Sequence, residues 1–119
     1  MIENTDKVIA KLTEELDAET VAELVAHFFS DTSAQIVALR EAAERADFAI
    51  VRFSAHSLAG SSSTFGLEEM RNAALALERS ALAAEHSAIS AKIDALAEAY
   101  AIAIPKLEQI IQKKKAPAS

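Results

Sequence analysis

Glycine and proline, the residues that most often break helices and build turns, are nearly absent from this sequence. The 119 residues include two Gly and two Pro, while Ala, Leu, Glu and Ile are abundant. A β-sheet protein of this length would need many tight turns, and such turns favour Gly, Pro or Asn. The composition therefore predicts an all-α protein with long helices and short connections.

Length and apolar content fit a single folded domain. A chain of 119 residues can bury one hydrophobic core, and 51% hydrophobic against 25% charged residues is typical of globular rather than disordered proteins. Apolar residues recur at every third or fourth position in one short and four long segments, which predicts five helices. Four long helices with short connections favour an antiparallel up-down four-helix bundle with a short additional N-terminal helix.

The predicted helices divide the chain into three parts. Residues 1–16 are predicted to form the short helix, packed on the bundle, and residues 17–112 the bundle itself. Residues 113–119, which begin with three lysines, are predicted as a disordered C-terminal tail. Lysines near a helix C-terminus complement the helix macrodipole, so this basic cluster does not require a nucleic acid partner.

Single residues indicate where the helices begin or break. Thr5, Asp17, Asp47 and Ser87 stand at the start of apolar periodic segments and are predicted as N-caps. Pro105 lies inside the last segment, where it lacks a backbone donor and crowds the preceding turn. A kink or a break is therefore expected just before Pro105.

Charge and cysteine content exclude several classes of function. The net charge of -6 is unfavourable for binding a nucleic acid backbone, which relies on clustered Lys and Arg. No Cys is present, which removes disulfides and Cys-ligated zinc and agrees with a reducing cytoplasm. The N-terminus has no secretion signal, and no apolar run reaches the roughly 18 residues of a membrane span. We therefore expect a cytoplasmic protein without a membrane segment.

One histidine lies in a stretch of unusually small residues, AHSLAGSSSTFG at positions 55–66. At about 100° per residue, Val51 and Leu58 fall on the side of the helix opposite His56. The imidazole is therefore predicted to face away from the core. The three histidines of the chain show no i, i+4 pairing, which is the usual pattern of helical metal sites, so no metal site is expected.

The side of the helix that carries His56 has little relief. The residues within two turns of it on this side are Arg52, Ala59, Gly60 and Ser63. Ala59, Gly60 and Ser63 are predicted to form the surface that binds a partner protein. Helix interiors disfavour Gly by roughly 1 kcal/mol relative to Ala, so Gly60 indicates a steric demand. That demand is access for a partner or close packing of another helix, and the alternative is a helix end that frays early because of the following serines.

The segment AHSLAGSSSTFGLEEM, followed by LALERS, resembles the signature of histidine-containing phosphotransfer (HPt) domains. That signature is a phosphorylated His, any residue, Leu, Lys, Gly and Ser, with a second Gly six residues after the first. The positions that match it are His56, Leu58, Gly60, Ser61 and Gly66. The resemblance extends in arrangement over about residues 18–111.

This resemblance implies a phosphorelay intermediate with no kinase activity of its own. His56 would accept a phosphoryl group from an aspartate of a response-regulator receiver domain and pass it to another receiver aspartate. The implied partners are receiver domains and a histidine kinase, which can be a hybrid kinase. The receiver would bring Mg²⁺, while this chain would bind no cofactor and act as a monomer.

The resemblance also implies a role for Glu78, in ALALERS. The family often places Glu or Gln at this position, where it hydrogen-bonds and orients the imidazole. The alternative is a solvated charge on an amphipathic helix, paired with Arg71 or Arg79.

One position departs from the family pattern. Ala59 stands where the family usually has a Lys that lies beside the phosphoryl group. Arg52, one turn before His56, is predicted to supply the missing positive charge, because a guanidinium suits phosphate oxygens.

Three other functions fit the sequence less well than phosphotransfer. A Ser-His hydrolase fits poorly, because the hydroxyls and the imidazole share one helix without an identifiable oxyanion hole. A non-phosphorylated helical adaptor that docks receiver or kinase domains is the main alternative, and a fragment of a chemotaxis-type kinase is another. Phe28 and Phe29 are adjacent, so one of them is predicted either to anchor a partner or to cover the first helix.

Overall fold

The computed structural model describes residues 4–115 of the chain. This range contains five α-helices and no strand, which confirms the predicted all-α class. The helices are α1 Asn4–Glu15, α2 Ala18–Glu44, α3 Phe48–Thr64, α4 Glu68–Leu82 and α5 His86–Lys115. Connections of two or three residues join them, as the scarcity of Gly and Pro predicts.

The four long helices pack around a shared core. α2 packs against α3 and α5, and α4 packs against the same two helices. Fully buried side chains of these helices form the centre of the core, for example Leu39, Val51, Leu58, Leu77 and Leu96. The short α1 packs against α2 and α5 and contributes the fully buried Ile9.

Three helices end with the same backbone arrangement. In each case an N–H beyond the helix donates to a carbonyl oxygen five residues earlier, from Asp47 to Ala42, from Leu67 to Ser62 and from Glu85 to Ser80. This hydrogen bond requires a left-handed residue after the helix. The left-handed residues are Ala46 at φ 57°, Gly66 at φ 66° and Ala84 at φ 56°. Two of these turns therefore carry an alanine in a conformation that favours glycine.

The two aspartate N-caps are confirmed. The backbone N–H of Thr20 donates to the Asp17 carboxylate at 2.7 Å, and the N–H of Ile50 donates to the Asp47 carboxylate at 3.3 Å. The hydrogen bond from Thr20 also holds the pKa of the Asp17 carboxyl below its ordinary value.

The predicted caps Thr5 and Ser87 are wrong. α5 begins at His86, so Ser87 lies inside the helix rather than before it. α1 begins at Asn4, and the Thr5 hydroxyl donates instead to the carbonyl oxygen of Gly66 at 2.9 Å. This long-range bond satisfies a carbonyl in the buried turn between α3 and α4, a contact that local sequence patterns do not encode.

The predicted break at Pro105 is also wrong. α5 runs from His86 to Lys115 without interruption and includes Pro105. Buried side chains on either side of it, Ala103 and Leu107, keep both halves of the helix in the core. The helix extends past the predicted boundary at 112 and includes residues 113–115 of the predicted tail. The rest of that tail, 116–119, lies outside the described residues.

An aromatic cluster joins the turn after α3 to the rest of the core. The ring of Phe65 in this turn lies 5.0 Å from that of Phe28, and both Phe28 and Phe29 lie 6.3 Å from Tyr100. The Tyr100 hydroxyl donates to the Phe29 carbonyl oxygen at 2.8 Å. Phe28 is buried and Phe29 half-buried. Both rings therefore serve packing, and neither is the exposed anchor that their adjacency suggested.

Ala46→Gly is expected to raise the free energy of unfolding by about 0.5 to 1 kcal/mol, because glycine adopts the left-handed φ at this position without steric cost. Ala38 is an exposed alanine inside α2. The control Ala38→Gly is expected to lower the free energy of unfolding by about 1 kcal/mol. Urea denaturation measures both, and a loss of stability in Ala46→Gly would contradict the assignment of strain.

Candidate functional site

Helix α3 presents His56 to solvent. Val51, Ala55 and Leu58 are fully buried on the core side of this helix. The His56 side chain lies on the other side and is 73% exposed. The orientation predicted from the helical wheel is therefore observed, and a partner protein can reach the imidazole.

A carboxylate from the neighbouring helix holds one nitrogen of this ring. The His56 Nδ1 lies 3.0 Å from Oε2 of Glu78 on α4, whose side chain is only 19% exposed. Because a carboxylate accepts hydrogen bonds, this contact favours the tautomer with a proton on Nδ1 and a lone pair on Nε2. Among the described residues, Nε2 has no hydrogen-bond partner. The alternative, in which Glu78 pairs with Arg71 or Arg79, is not observed within residues 4–115.

The surface after His56 is open at Gly60. A Cβ atom added to Gly60 would meet no heavy atom within 4 Å. Close packing of another helix therefore does not explain this glycine. Ser63, one turn further along, is exposed as predicted.

Ala59 does not belong to this surface. It is only 5% exposed, so its predicted place among the partner-binding residues is wrong. The wheel treats α3 as an isolated helix, whereas α3 packs against both α2 and α4, and the exposed arc is narrower than the wheel suggests.

Arg52 is available for an anion. Its side chain is exposed one turn before His56. It forms no ion pair within residues 4–115, whereas Arg40 pairs with Asp94 and His56 with Glu78. Among these residues, no carboxylate occupies its guanidinium group.

The hydroxyl groups of the small-residue stretch are mostly committed to the helix itself. Ser61 donates to the Ser57 carbonyl at 3.2 Å, and the buried Ser62 donates to the Leu58 carbonyl at 2.7 Å. Bonds of this kind loosen the last turns of a helix and do not select a ligand.

Sequence reasoning missed Phe53. This side chain is 75% exposed, more than any other large hydrophobic residue described. It lies three residues before His56, which is about 60° away on the helical wheel. The wheel therefore already placed Phe53 on the same exposed side of α3 as His56. Its exposure was not predicted, because a phenylalanine in an amphipathic helix is normally assigned to the core.

The described residues include no group of three or more His, Cys, Asp or Glu that could hold a metal ion. Within residues 4–115, no helix is both long and apolar enough to cross a membrane.

Comparison with protein families identifies the chain. A family model described as "Hpt domain" matches residues 23–113, most of the sequence. The chain belongs to the Hpt domain family. Hpt domains carry out phosphotransfer in two-component signalling and interact there with receiver domains and kinases. The matched region of this Hpt domain includes His56 and Glu78 but not α1. Searches of the curated proteins and of the solved structures gave no match.

Gly60→Ala is expected to stabilise this Hpt domain by about 1 kcal/mol, because alanine is the better helix former and its methyl group meets nothing. The matched control is Gly66→Ala, which places a side chain at φ 66° in a buried turn and should destabilise. Thermal and urea unfolding of both variants measure the effect. A destabilised Gly60→Ala would show that Gly60 serves packing after all.

Proposed function

We propose that this Hpt domain is a phosphorelay intermediate that carries a phosphoryl group on His56. It accepts this group from a receiver-domain aspartate and passes it to another receiver aspartate. The observation that carries the proposal is the exposed His56 ring, held through Nδ1 by Glu78 at 3.0 Å, within the matched family region.

The geometry supports attack by Nε2. The Nε2 lone pair forms the N–P bond while the P–O bond to the receiver aspartate breaks, and the electron pair of that bond leaves with the carboxylate. The proton on Nδ1 stays in its hydrogen bond to Glu78, so the positive charge that develops on the ring faces a carboxylate. Attack by a second receiver carboxylate reverses these steps and restores the neutral ring.

Arg52 supplies charge balance in this proposal. The transferred phosphoryl group carries its negative charge on three oxygens, and phosphoryl transfer depends on positioning and on neutralising that charge. Ala59 offers no charge where the family usually has Lys, whereas the exposed Arg52 forms no ion pair with residues 4–115. Gly60 and Ser63 remain the proposed partner-binding residues on α3. Ala59 is no longer among them, because it is buried.

Mg²⁺ and the phosphodonor belong to the partner. In this proposal the receiver brings the Mg²⁺, and this chain binds no metal ion of its own. A histidine kinase, including a hybrid kinase, would load the upstream receiver. The chain itself contributes the nucleophile and the groups around it.

The same proposal includes the wider architecture. An antiparallel up-down four-helix bundle is supported by short connections and by the packing of α2 and α4 against both α3 and α5. A cytoplasmic location and a monomeric state are also proposed. Light scattering of the purified chain tests the monomeric state.

The alternative is a non-phosphorylated adaptor that docks receiver or kinase domains. The loss of the family Lys at Ala59 and the exposed apolar Phe53 favour it. An adaptor binds its partner whether or not position 56 carries an imidazole, so substitution of His56 separates the two functions.

His56→Gln is expected to abolish transfer of labelled phosphate from a phosphorylated receiver, because the nucleophilic nitrogen is lost. Gln keeps a polar side chain at this exposed position, so folding and receiver binding should not change. The measurement follows acid-labile phosphate on the chain with Mg²⁺ present. Equal labelling of the variant and the natural chain would refute the proposal.

Glu78→Ala is expected to slow transfer by roughly 10-fold, the effect of losing one charge-assisted hydrogen bond. The conservative Glu78→Gln keeps an acceptor for Nδ1–H but not the negative charge, so it should restore part of the rate. A purely structural role would not produce this rescue. If Glu78→Gln were as slow as Glu78→Ala, the carboxylate charge rather than orientation would be the essential property.

Arg52→Ala is expected to slow transfer by roughly 10-fold through loss of a charged contact to the phosphoryl oxygens. Arg45→Ala is the control, since Arg45 is also exposed but lies at the end of α2. Equal rates for both variants would remove Arg52 from the mechanism.

A further inference from the structure

Phe53 is a largely exposed apolar side chain of α3. It is 75% exposed, and the aromatic contacts of the described chain join other rings. Ile50, three residues earlier and therefore its neighbour on the helix surface, is 41% exposed. Two large apolar side chains thus lie together in solvent on α3, where burial by another protein would be favourable.

This apolar pair lies on one side of His56 only. Phe53 is one turn before His56, about 4.5 Å along the helix axis. In the other direction, the exposed positions Ser57, Gly60 and Ser63 are small or polar. The surface around the phosphoacceptor is therefore asymmetric along α3: towards the N-terminus it presents Phe53 and Ile50 beside Arg52, and towards the C-terminus it is low and polar.

We propose that Phe53 is the anchor through which a receiver domain docks on this chain, with Ile50 extending the same contact. The inference rests on the proposed function. A receiver that brings its aspartate to Nε2 must cover the residues within one turn of His56, so the apolar pair is continuous with the phosphotransfer surface. An exposed aromatic residue beside the centre of an interface is the type that dominates binding.

The asymmetry predicts which receivers bind. A suitable receiver places an apolar patch towards the N-terminus of α3 and its phosphorylated loop over His56, where Gly60 leaves room. A receiver with a charged surface at the position facing Phe53 would leave its charges desolvated against an aromatic ring. Phe53 therefore acts on partner choice and docking, and not on the chemical step.

The test uses Phe53→Ala in the full chain, with Ile102→Ala as the matched control. Ile102 is another exposed apolar residue, but it lies on α5, whose main neighbours are α2 and α4. Binding is measured against a panel of receiver domains held in the phosphorylated form with beryllofluoride and Mg²⁺. Phe53→Ala should raise the Kd of the cognate receiver about 30-fold, and Ile102→Ala should leave it unchanged.

Two further readouts separate this inference from the proposed function. Labelling of His56 by phosphoramidate, which needs no docking partner, should be the same in Phe53→Ala and the natural chain. Transfer at saturating receiver should also be the same, so that the substitution changes KM and not kcat. A loss of kcat would overturn the docking role.

The remaining outcomes are equally distinct. An unchanged Kd in Phe53→Ala, with transfer intact in the natural chain, would overturn the anchor and leave the relay function standing. Weakened binding by Phe53→Ala without any phosphorylation of His56 would support the anchor and overturn the relay function. Self-association of the natural chain that Phe53→Ala abolishes would show that a second copy covers Phe53, and would overturn the receiver as its occupant.

Discussion

The contact between His56 and Glu78 is the interaction on which the site depends. It joins α3 to α4, and it places a largely buried carboxylate beside a largely exposed imidazole. The buried partner is held by its own helix, so it fixes the exposed ring without covering it. One ring nitrogen is thus committed to the protein, and the other is free for chemistry. Packing of α3 on α4 is what brings the two side chains together.

The surface around this pair favours access over stability. Gly60 weakens its helix although a Cβ would meet nothing there, and Phe53 remains in solvent. Both features are unfavourable for an isolated domain and favourable for a domain that must be approached closely by another protein. Proteins commonly retain such local costs at functional surfaces. The opposite side of the helix, with Val51, Ala55 and Leu58, is fully buried in the core.

Local patterns predicted most of the fold and the orientation of the key histidine. Asp17 and Asp47 were recognisable as caps because capping depends on a side chain and an N–H three residues away. Ser87 and Pro105 misled, because a helix boundary or an interruption also depends on what the neighbouring turns pack against. The contact from Thr5 to Gly66 spans the chain, and no local pattern encodes it.

The sequence by itself determined the helical class, the position of His56 on its helix and the motif that indicates Glu78. The first two follow from composition and the helical period, which are local properties, whereas Glu78 is indicated by the resemblance to the Hpt family signature. Only the tertiary structure decided that Ala59 is buried, that Gly60 borders open space and that Phe53 is exposed. The physical reason is that a helical wheel describes one helix, whereas exposure depends on how closely the adjacent helices pack against it.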